Sequence, residues 1–154
     1  RIVLFVGRLV YYKGADILVR AMAQVPGADL VMIGRGPLEG ELREIAVANG
    51  TADRITRIDP VDDDELAVVS TDLTTGVPYA NLDGVTGLTV PVGDVSALAG
   101  ALNRLLGDDE LRDRLGRQAR ERALSQFTIP QMVAGHLSAY AEAIERHASK
   151  RGRA

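Results

Sequence analysis

Arg8 and Lys13 stand five positions apart in Gly7-Arg-Leu-Val-Tyr-Tyr-Lys-Gly14. That pairing suits a diphosphate: a guanidinium can fork onto phosphate oxygens, and an ammonium supplies a compact point charge. Five apolar residues, Ile2 to Val6, come first and read as a strand buried on both faces, as in a parallel sheet. A helical pattern, Ala15, Leu18, Val19 and Met22, follows Gly14. The two cations therefore fall on the connection leaving the carboxyl end of a strand, where open α/β sheets bind ligands. Two solvated surface charges are the plain alternative, since most Arg and Lys face water. Composition favours the site: of eighteen basic residues only two are Lys, and one of them is Lys13.

Other constellations compete less well. Gly34-x-Gly36-x-x-x-Gly40 follows a second apolar run and imitates a dinucleotide fingerprint, with Asp59 after the next strand as a ribose acid. It follows the second strand rather than the first, and Glu39 brings a carboxylate into the phosphate approach. His136 and His147 lie eleven apart on one helical pattern, too far to share a metal. Ser70, Thr71 and Asp72 lack a nearby His for a nucleophilic triad. Asp62, Asp63 and Asp64 point in different directions, so a helix start suits them better than a magnesium site. No metal site is expected.

The elements that must position Arg8 and Lys13 follow a βα period. A helix is expected over about Ala15 to Gln24, then a buried strand Asp29–Ile33, then a helix Leu38 to Ala48 with Pro37 at its start. A third strand, Arg54–Ile58, leads into the acidic run 59–65. Val68–Thr71 then reads as another strand, only nine residues after Ile58. A parallel crossover usually needs a dozen or more residues with a helix. A segment is therefore expected to be missing between positions 67 and 68. Further on come a loop-rich stretch from Asp72, a short strand Leu88–Val90, and helices over Val95–Leu106, Glu110–Leu124 and Pro130–His147. The basic tail 148–154 is expected to be disordered. The fold class is α/β, a Rossmann-like parallel sheet with helices on both faces, as one domain over 1–147.

At 154 residues, 46% hydrophobic and 25% charged, the chain has the composition of one globular domain. A formal charge of −3 gives no steering towards nucleic acid. The absence of Cys excludes disulfides and thiolate metal sites. No apolar run reaches the ~20 residues of a membrane span. The chain opens inside a strand without an initiator Met, and it reads as part of something larger.

At Val6-Gly-Arg-Leu-Val-Tyr-Tyr-Lys-Gly14 the sequence resembles the carboxy-terminal, donor-binding domain of retaining glycosyltransferases with two Rossmann-like domains, the family 4 or group 1 type. The likeness continues through Ile33–Pro37, Val61–Leu66, Val69–Leu73, Thr75–Pro78 and Asp83–Pro91, in wording similar to bacterial mannosyltransferases and rhamnosyltransferases of polysaccharide assembly. The resemblance implies that Gly7, Arg8 and Lys13 meet the donor diphosphate. It implies that a base-binding loop falls on Arg57 to Asp63, with Ile58 in it and with Val61 and Asp63 touching a guanine. It implies hexose transfer from a nucleotide-diphosphate sugar, GDP-mannose before a UDP-sugar, to a glycan or lipid-linked acceptor held by an amino-terminal domain that this sequence lacks. It implies no cofactor and no metal, and a cytoplasmic enzyme, peripheral at the inner face of the membrane. The sequence departs from the pattern where a strand and a helix with two donor-binding glutamates are expected, at the same seam. A non-catalytic nucleotide-binding regulator and an NAD(P)-binding oxidoreductase domain are the other readings.

Overall fold

The computed structural model of the chain describes residues 1–58, 68–72 and 76–151. The elements are β1 (Ile2–Val6), α1 (Ala15–Ala21), β2 (Asp29–Ile33), α2 (Glu39–Ala48), β3 (Ile55–Ile58), β4 (Val68–Thr71), α3 (Val77–Ala80), β5 (Gly87–Val90), α4 (Val95–Gly107), α5 (Asp109–Gln126) and α6 (Ile129–Arg151). Every described strand pairing is parallel. β1, β2 and β3 form one sheet in that order, and β4 pairs with β5 in a second. The α/β architecture read from the βα period is the one observed. The acidic run 59–65 and the expected seam at 67/68 fall, wholly or in part, outside the described residues.

The main core lies under one face of the first sheet. Val3 and Leu30 point from the strands into it, Leu18, Val19 and Met22 come from α1 and the turn after it, and Leu42 and Ile45 from α2. Ala99 and Leu102 of α4 close the same cluster. Burying one such side chain is worth roughly 1.5–3 kcal/mol, which is why the helical and strand periods carry the apolar positions. A smaller cluster, Leu88, Leu105, Leu111 and Leu115, holds the second sheet to α4 and α5, and Val69 packs against both clusters.

The opposite face of the first sheet departs from expectation. β1 is buried on one face only, with Ile2 67% and Val6 64% exposed. A continuous apolar run signals burial on both faces, but here no described helix covers the second one.

Local signals set the element ends. The Asp94 side chain accepts from Ala97 N at 2.8 Å and starts α4, and Asp108 does the same for Leu111 N to start α5. Arg54 ties the strand layer to the helix layer by donating to the carbonyls of Met22, Val25 and Ala28 at 2.9–3.0 Å. α6 runs on to Arg151, past the His147 boundary, so the tail begins as helix. Its apolar positions Met132, Val133, Leu137, Tyr140 and Ile144 are all exposed. α3 is a single turn that the loop-rich reading of that stretch did not contain.

Candidate functional site

The candidate site is the carboxyl edge of the first sheet, where two loops are zipped together. Gly7 N donates to Ile33 O at 2.9 Å, Leu9 N to Arg35 O at 3.1 Å, and Leu38 N to Leu9 O at 3.3 Å. Arg8 and Gly34 therefore sit on the same edge, as the site assignment requires. Leu9, only 2% exposed, anchors the loop in the core, while Arg8 beside it is exposed. The chain then makes a tight turn over Tyr11–Lys13 and enters α1 through Gly14, in the left-handed region at φ 68°. Lys13 is exposed, its Nζ 6.0 Å from the Tyr12 ring centroid. Neither the Arg8 nor the Lys13 side chain makes a hydrogen bond or ion pair with a described residue. Two cations thus leave one strand end with their charges unneutralised by described carboxylates.

The glycine pattern after β2 has a packing explanation. A Cβ on Gly34 would lie 2.0 Å from Gly7 O, and one on Gly36 would lie 2.2 Å from Leu9 O. Gly34 also has φ +143°. Both are Gly because the two loops approach backbone to backbone. Gly40 has nothing within 4 Å. The fingerprint is thus a contact between loops, and its third glycine has no steric role.

Glu39 occupies the amino end of α2. One of its oxygens accepts from Gly36 N at 3.2 Å, and the other pairs with Arg57. The Gly36 N–H, then the Arg57 guanidinium, hold its carboxyl below the usual glutamate value. Arg57, which the resemblance places in the base-binding loop, is thus engaged inside the chain. Ile58 ends β3 opposite Ile33 at the same edge. Val61 and Asp63, like the ribose-acid candidate Asp59, lie outside the described residues. Sequence reasoning saw Glu39 only as a repulsive charge; its spacing of three from Gly36 was the available sign of a side chain reaching back to cap.

The Asp83–Pro91 motif is also structural. Asn81 is buried and donates to Ser70 Oγ (2.7 Å) and Leu88 O (3.2 Å), while Thr86 Oγ1 donates to Asn81 Oδ1 (3.2 Å) and accepts from Leu82 N (2.8 Å). The Asp83 carboxylate accepts from Thr89 N. A Cβ on Gly87 would lie 2.2 Å from Val68 O. Among the described residues no group of three or more His, Cys, Asp or Glu could hold a metal, and no helix is long and apolar enough to cross a membrane.

A parallel α/β domain with an exposed Arg and Lys on its first βα connection has the arrangement of a phosphorylated-ligand site. The sequence profile described as Glycosyl transferases group 1 matches residues 1–67 and 65–122, and the chain belongs to that family. It is 28% identical over 174 aligned residues to the O-antigen chain mannosyltransferase C of Escherichia coli, covering 92% of this chain and 47% of that protein. Sucrose-phosphate synthase from Thermosynechococcus elongatus superposes with a TM-score of 0.79 at 26% identity, over 94% of this chain and 46% of that one. Anabaena HepE, solved with UDP and glucose, shares the fold at a TM-score of 0.78 and 20% identity, over 90% of this chain and 48% of that one. The chain spans about half the length of these proteins. The 174 aligned positions exceed the part of this chain that takes part by about thirty, and the two profile matches meet at residues 65–67.

Proposed function

We propose that this chain is the donor-binding part of a retaining glycosyltransferase, with Arg8 and Lys13 holding the diphosphate of a nucleotide sugar. The observation that carries the reading is the pair of exposed cations at the carboxyl end of β1 without carboxylate partners among the described residues. Arg57, on β3 with β2 standing between it and β1, is engaged by Glu39 instead. As the bond from sugar to diphosphate breaks, negative charge builds on the leaving phosphate, and fixed cations stabilise it electrostatically. Likeness to a mannosyltransferase supports mannose or a related hexose, with GDP as the favoured nucleotide and Val61 and Asp63 as contacts of its guanine. The acceptor, a glycan or lipid-linked glycan, belongs to the other half of the full-length enzyme, working in the cytoplasm at the inner face of the membrane.

Titration of the protein with GDP, UDP, NAD and guanosine by calorimetry tests this. A charged hydrogen bond contributes about 1.5–3 kcal/mol, so Arg8→Ala or Lys13→Ala is expected to weaken nucleoside-diphosphate binding roughly ten- to a hundredfold. Guanosine binding is expected to stay unchanged. Unaltered GDP and UDP affinity in both variants would return Arg8 and Lys13 to ordinary surface charges.

A further inference from the structure

Tyr11 and Tyr12 stand between the two candidate diphosphate cations, and the core makes no use of their rings. The protein holds four Tyr and two Phe, and these two Tyr are adjacent and exposed, 81% and 59%. Neither belongs to a core cluster. The turn that carries them is nonetheless pinned at the backbone. Lys13 N donates to Val10 O at 3.0 Å and Gly14 N to Tyr11 O at 3.2 Å, between the buried Leu9 and Ala15. The two rings meet edge to face, 5.6 Å between centroids and 88° between planes. The Lys13 ammonium lies over the Tyr12 ring, 6.0 Å from its centroid. That is the outer part of the range in which a ring quadrupole attracts a cation.

A lysine swings on four flexible carbons, and a ligand that captures it must stop that motion. A carboxylate partner would restrain the ammonium but cancel charge that a phosphate needs. A ring face restrains it and leaves the charge whole. We propose that Tyr12 is a positioning residue: its ring holds the Lys13 ammonium near one place before the diphosphate arrives, and Tyr11 braces that ring. A cation already in place has less freedom left to lose, so the gain appears as diphosphate affinity. The role rests on the donor reading, since it matters only where Lys13 meets a phosphate.

Calorimetric titration of the protein with GDP and guanosine tests this. An exposed contact of this kind corresponds to about two- to fivefold in affinity. Tyr12→Leu is expected to weaken GDP binding by that factor and to leave guanosine unchanged. Tyr12→Phe keeps the ring and is expected to bind GDP as the parent does. In a Lys13→Ala background Tyr12→Leu is expected to have no effect on GDP, because the ring then has nothing to hold. In NMR spectra of the free protein the Tyr12 ring current is expected to shift the Lys13 ε-methylene protons upfield. That shift is expected to vanish in Tyr12→Leu and to persist in Tyr12→Phe. Unchanged GDP affinity in Tyr12→Leu, where Lys13→Ala weakens it, overturns the positioning role and leaves the donor reading standing. Equal loss with and without Lys13 also overturns the role, since the ring would then touch the nucleotide itself, as does a Lys13 proton shift that Tyr12→Leu leaves in place. No effect of Lys13→Ala on GDP removes the phosphate contact of Lys13 and the positioning role together.

Discussion

The Cα of Gly34 faces the carbonyl of Gly7 so closely that a methyl group there would lie 2.0 Å from the oxygen. This contact fixes the height of the Arg8 loop above the sheet, because Leu9 is then held by Arg35 on one side and Leu38 on the other. The residues that look like a ligand motif in the sequence are thus the support of the site beside it.

Gly34→Ala and Gly36→Ala are each expected to destabilise the fold by about 1–3 kcal/mol, the usual cost of overpacking. For a domain of this size that lowers Tm by about 2–4 °C per kcal/mol. Gly40→Ala, inside α2 with open space around it, is expected to be neutral or to stabilise by up to about 1 kcal/mol. Thermal melts of the three variants check the contrast. Equal losses at all three positions would contradict the packing account.

Asn81→Asp replaces a buried donor by an acceptor facing Leu88 O. A loss of about 1–3 kcal/mol is expected in chemical denaturation. Thr86→Val removes the acceptor of Leu82 N and is expected to cost a similar amount.

Arg54→Ala removes a guanidinium from three carbonyls and is expected to cost on the order of 1.5–3 kcal/mol. Arg54→Lys cannot reproduce the fork and is expected to recover only part of it. Denaturant midpoints of the two variants measure the difference.

Glu39 gives the fold an acid-side dependence. Its folded pKa lies below the ordinary 4.5, so the unfolded chain binds its proton first as pH falls. Its contribution is fully present above that value and is lost as pH drops through the lowered folded value. Glu39→Gln is expected to flatten this part of the stability profile. An unchanged profile below pH 4.5 in the variant would show that the Gly36 and Arg57 contacts are not the cause.

The fold was legible where chain periodicity and packing agree. Asp29–Ile33 and Val68–Thr71 form strands at the positions read from their apolar runs, and Asp94 and Asp108 start helices. Arg8 and Lys13 were legible because they follow a strong strand signal. Pairings distant in sequence were not. Arg57 meets Glu39 across eighteen residues, and Asn81 meets Ser70 across eleven, contacts that no local pattern encodes. The burial of β1 was misread because an apolar run reports what a strand can bury, whereas exposure depends on which elements lie over it.

The placement of α4 has a consequence for synthesis. Ala99 and Leu102 share one core with Val3, Val19 and Leu30, residues made much earlier. A ribosome extends the chain by about 5–20 residues per second, so that apolar surface waits several seconds for its last helix. During that interval the nascent β1–α1–β2 unit presents a sticky underside to its surroundings. Slow codons placed between the coding regions of β3 and α4 would lengthen the wait and raise the demand for chaperones without changing one residue.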